Sequence, residues 1–355
     1  MFLKLIFIPF IIYFHLFILK TSEQIPVKKT LVNDTLNQKI FNQLVLQKKW
    51  AELGEIISKN LKNNPKNENY LTFHKQWITL DYQTNFKINL IVEEKEMFSI
   101  QPQIQKCLEG KISPLANKKA LNFLNYCRRL TGLYDSCFFD EEDNKIAQKT
   151  AFLMEANNSL SHSPPQSWTC FNQTAFNGAG KSNLSLGYGF SESMLGQIED
   201  DGSHNSACGH RRWILNPYNR VFGYGSTEKA MALKVIETNK KRNAEIKFND
   251  KSFIAWPSAN YFPIDLIFER WSFSIENANF ALATVTIMQD KIKIPVQLEK
   301  VKTGFALNTI VWKLKSQIQV NKVYKVQINN IKFPGNPLPI TYQYDVIPVK
   351  IISTK

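Results

Sequence analysis

The apolar residues of this chain change period near residue 245. Beyond that point every apolar run is short: residues 254–257, 271–275, 283–287, 291–296, 308–314, 323–328 and 341–346, one roughly every ten residues. Side chains on a strand alternate between its two faces, so runs of this kind bury one face and expose the other. Their number and spacing predict a β-sandwich over 245–350. Trp256, Trp271 and Trp312 fall within these runs and are expected to fill its core. Upstream of the polar, basic linker Asn239-Lys-Lys-Arg-Asn243 most apolar spacings are helical instead.

The stretch 111–238 mixes both periods. Ser113-Pro114 opens a helix carrying Ala120, Leu121, Leu124 and Arg128 and closed by Gly132, because Ser caps, Pro suits the first turn and Gly accepts a left-handed stop. A second helix starts in Asp140-Glu-Glu-Asp143, where carboxylates meet the positive end of the helix dipole, and runs to Asn158. The segments 221–225 and 230–236 read as strands. Alternating helices around a small central sheet predict an α-β-α layering. In 23–110, Phe41, Leu44, Trp50, Leu53, Ile57 and Leu61, then Leu71, Trp77 and Leu80, recur at helical spacing on either side of Pro65. That is a helical N-terminal extension. The fold class is α+β: a central α-β-α domain between helices and an all-β sandwich.

Met1-Phe-Leu-Lys4 precedes about fifteen apolar residues, fewer than the ~20 a membrane-spanning helix needs. Residues 1–22 are read as a secretory signal, with an uncleaved N-terminal anchor as the alternative. The expected location is secreted, periplasmic or cell-surface, with no integral membrane domain beyond that segment. The formal net charge is +14, from lysines spread along the chain. It suits anionic partners or simply a soluble basic surface. No stretch interleaves basic and aromatic residues as a nucleic-acid platform does, so nucleic acid is not expected as a partner. Five cysteines, Cys107, Cys127, Cys137, Cys170 and Cys208, allow one or two disulfides with at least one thiol left over. Cys127 with Cys137 and Cys170 with Cys208 are two open pairings.

The chemistry-bearing stretch is 200–217. Of five histidines, His204 and His210 fall there, beside Asp200 and Asp201, and His162 lies in the loop Ser161-His-Ser-Pro-Pro165. Gly209 lets the backbone turn tightly before His210, and residues 212–215 read as a short strand stopped by Asn216-Pro217. Two imidazoles with a carboxylate can bind a divalent metal or act as an acid/base pair. His204, Asp200 and Asp201 are read as loop-building residues, Arg211 and Arg212 as braces, and Trp168 and Trp213 as packing. No nucleophile elbow, phosphate loop, dinucleotide fingerprint or His-Glu-x-x-His motif is present, and no catalytic residue is assigned.

Several ordered pieces of residues 115–236 resemble the CAP superfamily of cysteine-rich secretory, antigen-5 and pathogenesis-related proteins. They are Leu124-Asn-Tyr-Cys-Arg-Arg-Leu-Thr-Gly-Leu133, the helix to Met154 followed by Leu160-Ser-His-Ser-Pro164, Lys181-Ser-Asn183 at the place of a Gly-Glu-Asn motif, and Gly209-His210, with 221–225 as the following strand. Gly-His-Arg-Arg-Trp213 resembles the bacterial branch. The resemblance implies an α-β-α fold with a cleft of two histidines and, in many members, two glutamates able to bind zinc. His162 and His210 match the histidines; Ser182, beside Asn183, stands where one glutamate would be, and Glu199 is the nearest counterpart of the other. The implied function is a secreted, non-enzymatic binding module for an extracellular or envelope ligand: lipid, polysaccharide or protein. A metal-dependent hydrolase with zinc on His162 and His210 is the alternative.

Overall fold

A computed structural model describes residues 36–236 and 252–352. The apolar segment 1–22 and the linker 239–243 lie outside these residues. Helices α1 (Gln38–Leu46), α2 (Trp50–Asn63) and α3 (Glu68–Asp81) open the described chain, followed by the short α4 (Lys87–Leu90) and α5 (Glu94–Met97). The apolar stripes seen in the sequence are their buried faces: Leu53, Ile57 and Trp77 are sealed from solvent, and Trp77 Nε1 donates to the Trp50 backbone oxygen at 3.1 Å. A strand pair, β1 (Phe98–Ile100) with β2 (Lys111–Ile112), leads into the central region.

There both helix starts predicted from sequence are formed, each with a side-chain cap. Ser113 Oγ accepts from the Ala116 N–H and opens α6 (Pro114–Leu130); Asp140 Oδ1 accepts from the N–H groups of Glu142 and Asp143 and opens α7 (Glu141–Ala156), with β3 (Phe138–Phe139) between the two helices. After α8 (Gln173–Ala179) come β4 (Ser182–Leu186), α9 (Phe190–Glu199), α10 (Gly209–Ile214), β5 (Val221–Ser226) and β6 (Ala230–Lys234). The four strands form a sheet in the order β3-β5-β6-β4. Gly223 and Gly225 of β5 turn toward α7, and a Cβ on Gly225 would lie 2.1 Å from Gln148 N. Their neighbour Phe222 turns to the other face, under the Arg128 guanidinium of α6 at 5.8 Å. The sheet is therefore sandwiched by helices, as the mixed periods predicted.

The α+β class holds, and the C-terminal strands form two sheets. One has the order β11-β10-β14-β15-β8 and the other β12-β13-β9-β7. These are β7 (Ile254–Trp256), β8 (Asn260–Pro263), β9 (Arg270–Ser274), β10 (Thr284–Gln289), β11 (Ile292–Ile294), β12 (Val296–Leu298), β13 (Thr309–Leu314), β14 (Tyr324–Phe333) and β15 (Asn336–Val349). Trp256, Trp271 and Trp312 are fully buried, and Trp271 meets Tyr324 of the other sheet edge-on at 6.4 Å. The sequence reading missed β8, which pairs parallel with β15.

From Asn37 onward the described chain clusters as one unit, and charged bonds stitch its parts together. Arg129 of α6 grips the buried Asp81 at the end of α3 through two bonds of 3.0 and 2.7 Å, and Tyr82 donates to Asp265 at 2.7 Å. Two expectations are corrected. Residues 212–215 are not a strand: 209–214 form α10, because in so short a run strand and helical periods bury the same Arg212 and Ile214. Neither suggested cysteine pair forms either. The disulfide joins Cys107 to Cys170, leaving Cys127, Cys137 and Cys208 free and buried.

Candidate functional site

Asn158, at φ 43°, follows the end of α7, and His162 lies beyond it in an exposed loop before Pro164-Pro165. His162 Nδ1 lies 2.8 Å from the Ala179 backbone oxygen. A carbonyl only accepts, so Nδ1 carries a proton, and in the neutral ring the lone pair is on Nε2. His210 sits in the first turn of α10 with Nδ1 2.8 Å from Asp200 Oδ1, which fixes the same tautomer by the same logic. Neither Nε2 has a hydrogen-bond partner among the described residues.

Asp200 is the correction here: it is no mere loop builder. It takes the left-handed conformation, φ 56°, that stops α9, a conformation Asp tolerates better than most residues. That turn buries its carboxylate beneath His210, where Oδ2 also accepts from the Arg211 N–H at 3.2 Å. The arginines brace the loop, as expected. Arg211 donates to the oxygens of Ile198 and Glu199, and Arg212 to those of Leu307 and Lys302 in the sandwich. Gly209 is required by close approach, since a Cβ there would lie 2.9 Å from the Phe305 ring.

His162, His210 and Glu199 line one open cavity of about 580 Å³, walled by Leu160, Leu184, Leu186 and Tyr188. Both histidines also border a second cavity of about 400 Å³, which reaches Ser182, Asn183, His204, Trp213 and the sandwich loop at Phe305. Asn183 is buried and donates to the His210 backbone oxygen at 3.0 Å. Ser182 is buried too, and its hydroxyl donates to the Gly178 oxygen at 2.8 Å. Glu199 stands exposed on the rim; partial desolvation and then Asp201 push its carboxyl above the ordinary range, with Arg211 opposing. The Tyr188 phenol is raised by burial first and by Glu199 and Glu192 after it.

Gln197 was missed by the sequence reading. It is buried in the wall of the first cavity, Nε2 donates to Ser185 Oγ at 2.9 Å, and Oε1 has no partner. Helical spacing could have found it: Phe190, Ser193, Met194, Gln197 and Ile198 are the buried stripe of α9, whereas Glu199 falls on the outer face.

These residues do not make up a zinc-binding set. Asp200, the carboxylate nearest His210, is engaged in orienting that imidazole, and Ser182 offers a hydroxyl committed to a carbonyl. Among the described residues no three His, Cys, Asp or Glu side chains converge as a metal ion requires.

Residues 121–233 match the family model described as CAP, the cysteine-rich secretory protein family. No protein of curated function matches the chain. The match runs from within α6 to within β6, so it contains both histidines, Asp200 and Gln197; the N-terminal helices and the sandwich lie outside it.

Proposed function

With residues 121–233 forming a CAP domain, we propose that the protein is a secreted or envelope-facing binding module whose cleft takes a lipid, polysaccharide or protein ligand without turning it over. The observation that carries this reading is the state of the two imidazoles. Each is fixed through Nδ1 at 2.8 Å, and among the described residues each leaves Nε2 unpartnered beside an open cavity and neither is hydrogen-bonded to a hydroxyl or thiol that it could activate. Such a cleft is built to accept hydrogen bonds from a ligand. The Cys107–Cys170 disulfide supports an oxidising compartment, as does the apolar segment 1–22. Among the described residues no helix is long and apolar enough to cross a membrane.

The second reading is a hydrolase in which His210 moves a proton; its metal-dependent form lacks a third ligand among the described residues. What favours it is the Asp200–His210 pair, the arrangement that orients a proton-transferring imidazole. The deciding experiment sets purified protein against ester, peptide and glycan substrates and, in parallel, against arrayed lipids, polysaccharides and extracytoplasmic proteins, with His162→Ala and His210→Ala variants. Binding lost in both variants, with no turnover, is the expected result. Turnover that His210→Ala abolishes would overturn the binding reading.

A further inference from the structure

The two cavities that meet at the histidines carry opposite charge. Among the described residues the first holds Glu199 and Asp201 and no lysine or arginine in its lining. The second holds Lys181, Lys302 and His204 and, among the described residues, no aspartate or glutamate. His162, His210 and Asn205 border both. We propose that the cleft selects a dipolar ligand, with an ammonium or guanidinium group in the first cavity and an anionic group in the second. The inference rests on the cleft being a ligand site and names the class of ligand it takes.

In the first cavity the demand is for a donor. Gln197, buried in its wall, has an Oε1 with no partner, an acceptor and no donor left over at this side of the cleft. In their neutral forms the two imidazoles add Nε2 acceptors, and Tyr188 lies in the same lining. The negative charge there is only partly offset. Arg270 Nη1 stands 3.7 Å from Asp201, and Arg211 lies near Glu199, but both arginines sit behind the wall with their N–H groups on backbone oxygens.

In the second cavity the demand is for charge of the other sign. Neither Lys181 nor Lys302 has a carboxylate within ion-pair distance among the described residues. The Trp213 and Phe305 side chains give that cavity apolar surface beside the lysines. A dipolar ligand placed the wrong way round meets like charge at both ends, so the arrangement sets orientation as well as affinity. The formal charge of +14 alone would favour an anion at any surface; the first cavity is where that expectation reverses.

The test uses the full chain and three probe series of increasing length at neutral pH: ω-amino acids, n-alkylammonium ions and n-alkanoates, titrated by calorimetry and by NMR shifts of the His162 and His210 rings. One length of ω-amino acid is expected to bind about tenfold tighter than the ammonium or carboxylate probe of equal length. Replacing Glu199→Gln together with Asp201→Asn should weaken the ammonium-bearing probes about fivefold and spare the alkanoates, and Lys302→Gln should do the reverse. All three side chains are exposed, so the variants keep the fold. The proposal is overturned if no ω-amino acid exceeds its singly charged counterparts, or if the variants do not separate by probe charge. Silence from all three series overturns the dipolar inference alone when a lipid or polysaccharide still binds in a His210-dependent way. It overturns the binding reading as well when nothing binds.

Discussion

Arg270, on a strand of the sandwich, donates through Nη1 to the backbone oxygen of Asp200 at 2.9 Å, while the Asp200 carboxylate holds the His210 ring. Its Nη2 reaches Gly202 O at 2.8 Å, and Arg211 answers from the CAP side, donating to Arg270 O and Ser272 Oγ at 2.9 and 3.1 Å. The loop that positions one of the two cleft histidines is thus fixed by residues outside the family match. Two clasped guanidiniums, both nearly solvent-free, make the sandwich part of the site's scaffold.

Arg270→Leu tests that dependence. It leaves the Asp200 and Gly202 oxygens without their donor and Glu299 without its 3.2 Å partner. Breaking such a buried network costs about 2–4 kcal/mol. Denaturant unfolding should show that loss, and amide exchange should speed up over 200–206 while α7 stays protected. Uniform exchange across the chain would contradict the clasp.

Asp200 is expected to control the tautomer of His210 rather than the fold alone. In the native chain, ring-nitrogen NMR should show Nδ1 protonated, as the 2.8 Å bond to Oδ1 requires, and the neutral ring should be the Nδ1–H tautomer. Asp200→Ala removes the acceptor and should shift the population toward Nε2–H, which turns the cleft-facing atom from acceptor to donor. Ligand affinity should then fall in step with that shift. His162, tied to the Ala179 oxygen, should keep its tautomer and serves as the internal control.

Much of this was legible because it is local. The caps at Ser113 and Asp140 are read within four residues of the helices they start, and the sandwich strands show in their alternation. His162 and His210 were found through ordered motifs around them. What escaped the sequence depends on distant chain. Asp200 reads as loop material until the αL turn at its own position folds it under His210. Gln197 is the exception, a local signal overlooked: the helical spacing of α9 places it on the buried stripe. The partner of Cys107 lies 63 residues away, beyond any local signal. Strand β8 hides among Pro257, Pro263 and Asn260, residues that read as turn.

The cysteines give a counting test. A thiol reagent should find none of the three free cysteines in the native protein and all three after denaturation, since Cys127, Cys137 and Cys208 are buried and burial pushes each thiol above its ordinary pKa. Reducing the Cys107–Cys170 bridge, which spans a 63-residue separation, should destabilise the fold by about 4 kcal/mol on the loop-entropy relation. A Cys107→Ser/Cys170→Ser variant should show that deficit without reductant. Native labelling of one or more thiols would contradict the assigned pairing and burial.

His74 supplies an acid-sensitive joint between α3 and the sandwich. Its ring is 4% exposed, meets Trp77 edge-on at 5.5 Å and stacks near Tyr261 of β8 at 6.3 Å, and its Nδ1 has no partner. Burial pulls its pKa from 6.5 down to about 3. The sign follows from which state binds the proton. Above pH 6.5 the imidazole is neutral folded or unfolded and contributes no pH dependence. Below it the unfolded chain takes up a proton that the folded chain refuses until about pH 3, so stability falls on acidification through that window, by up to about 1.4 kcal/mol per pH unit. His74→Phe keeps an aromatic ring between Trp77 and Tyr261 and removes both the titration and the orphaned nitrogen. Measured by denaturant unfolding, the variant should match or exceed the native protein at pH 7.5 by up to about 1–2 kcal/mol, and its advantage should widen steadily between pH 6 and pH 4. A constant difference across that range would mean that the ring is hydrated and titrates normally in the folded state, and the joint between α3 and β8 would not be the acid-sensitive one.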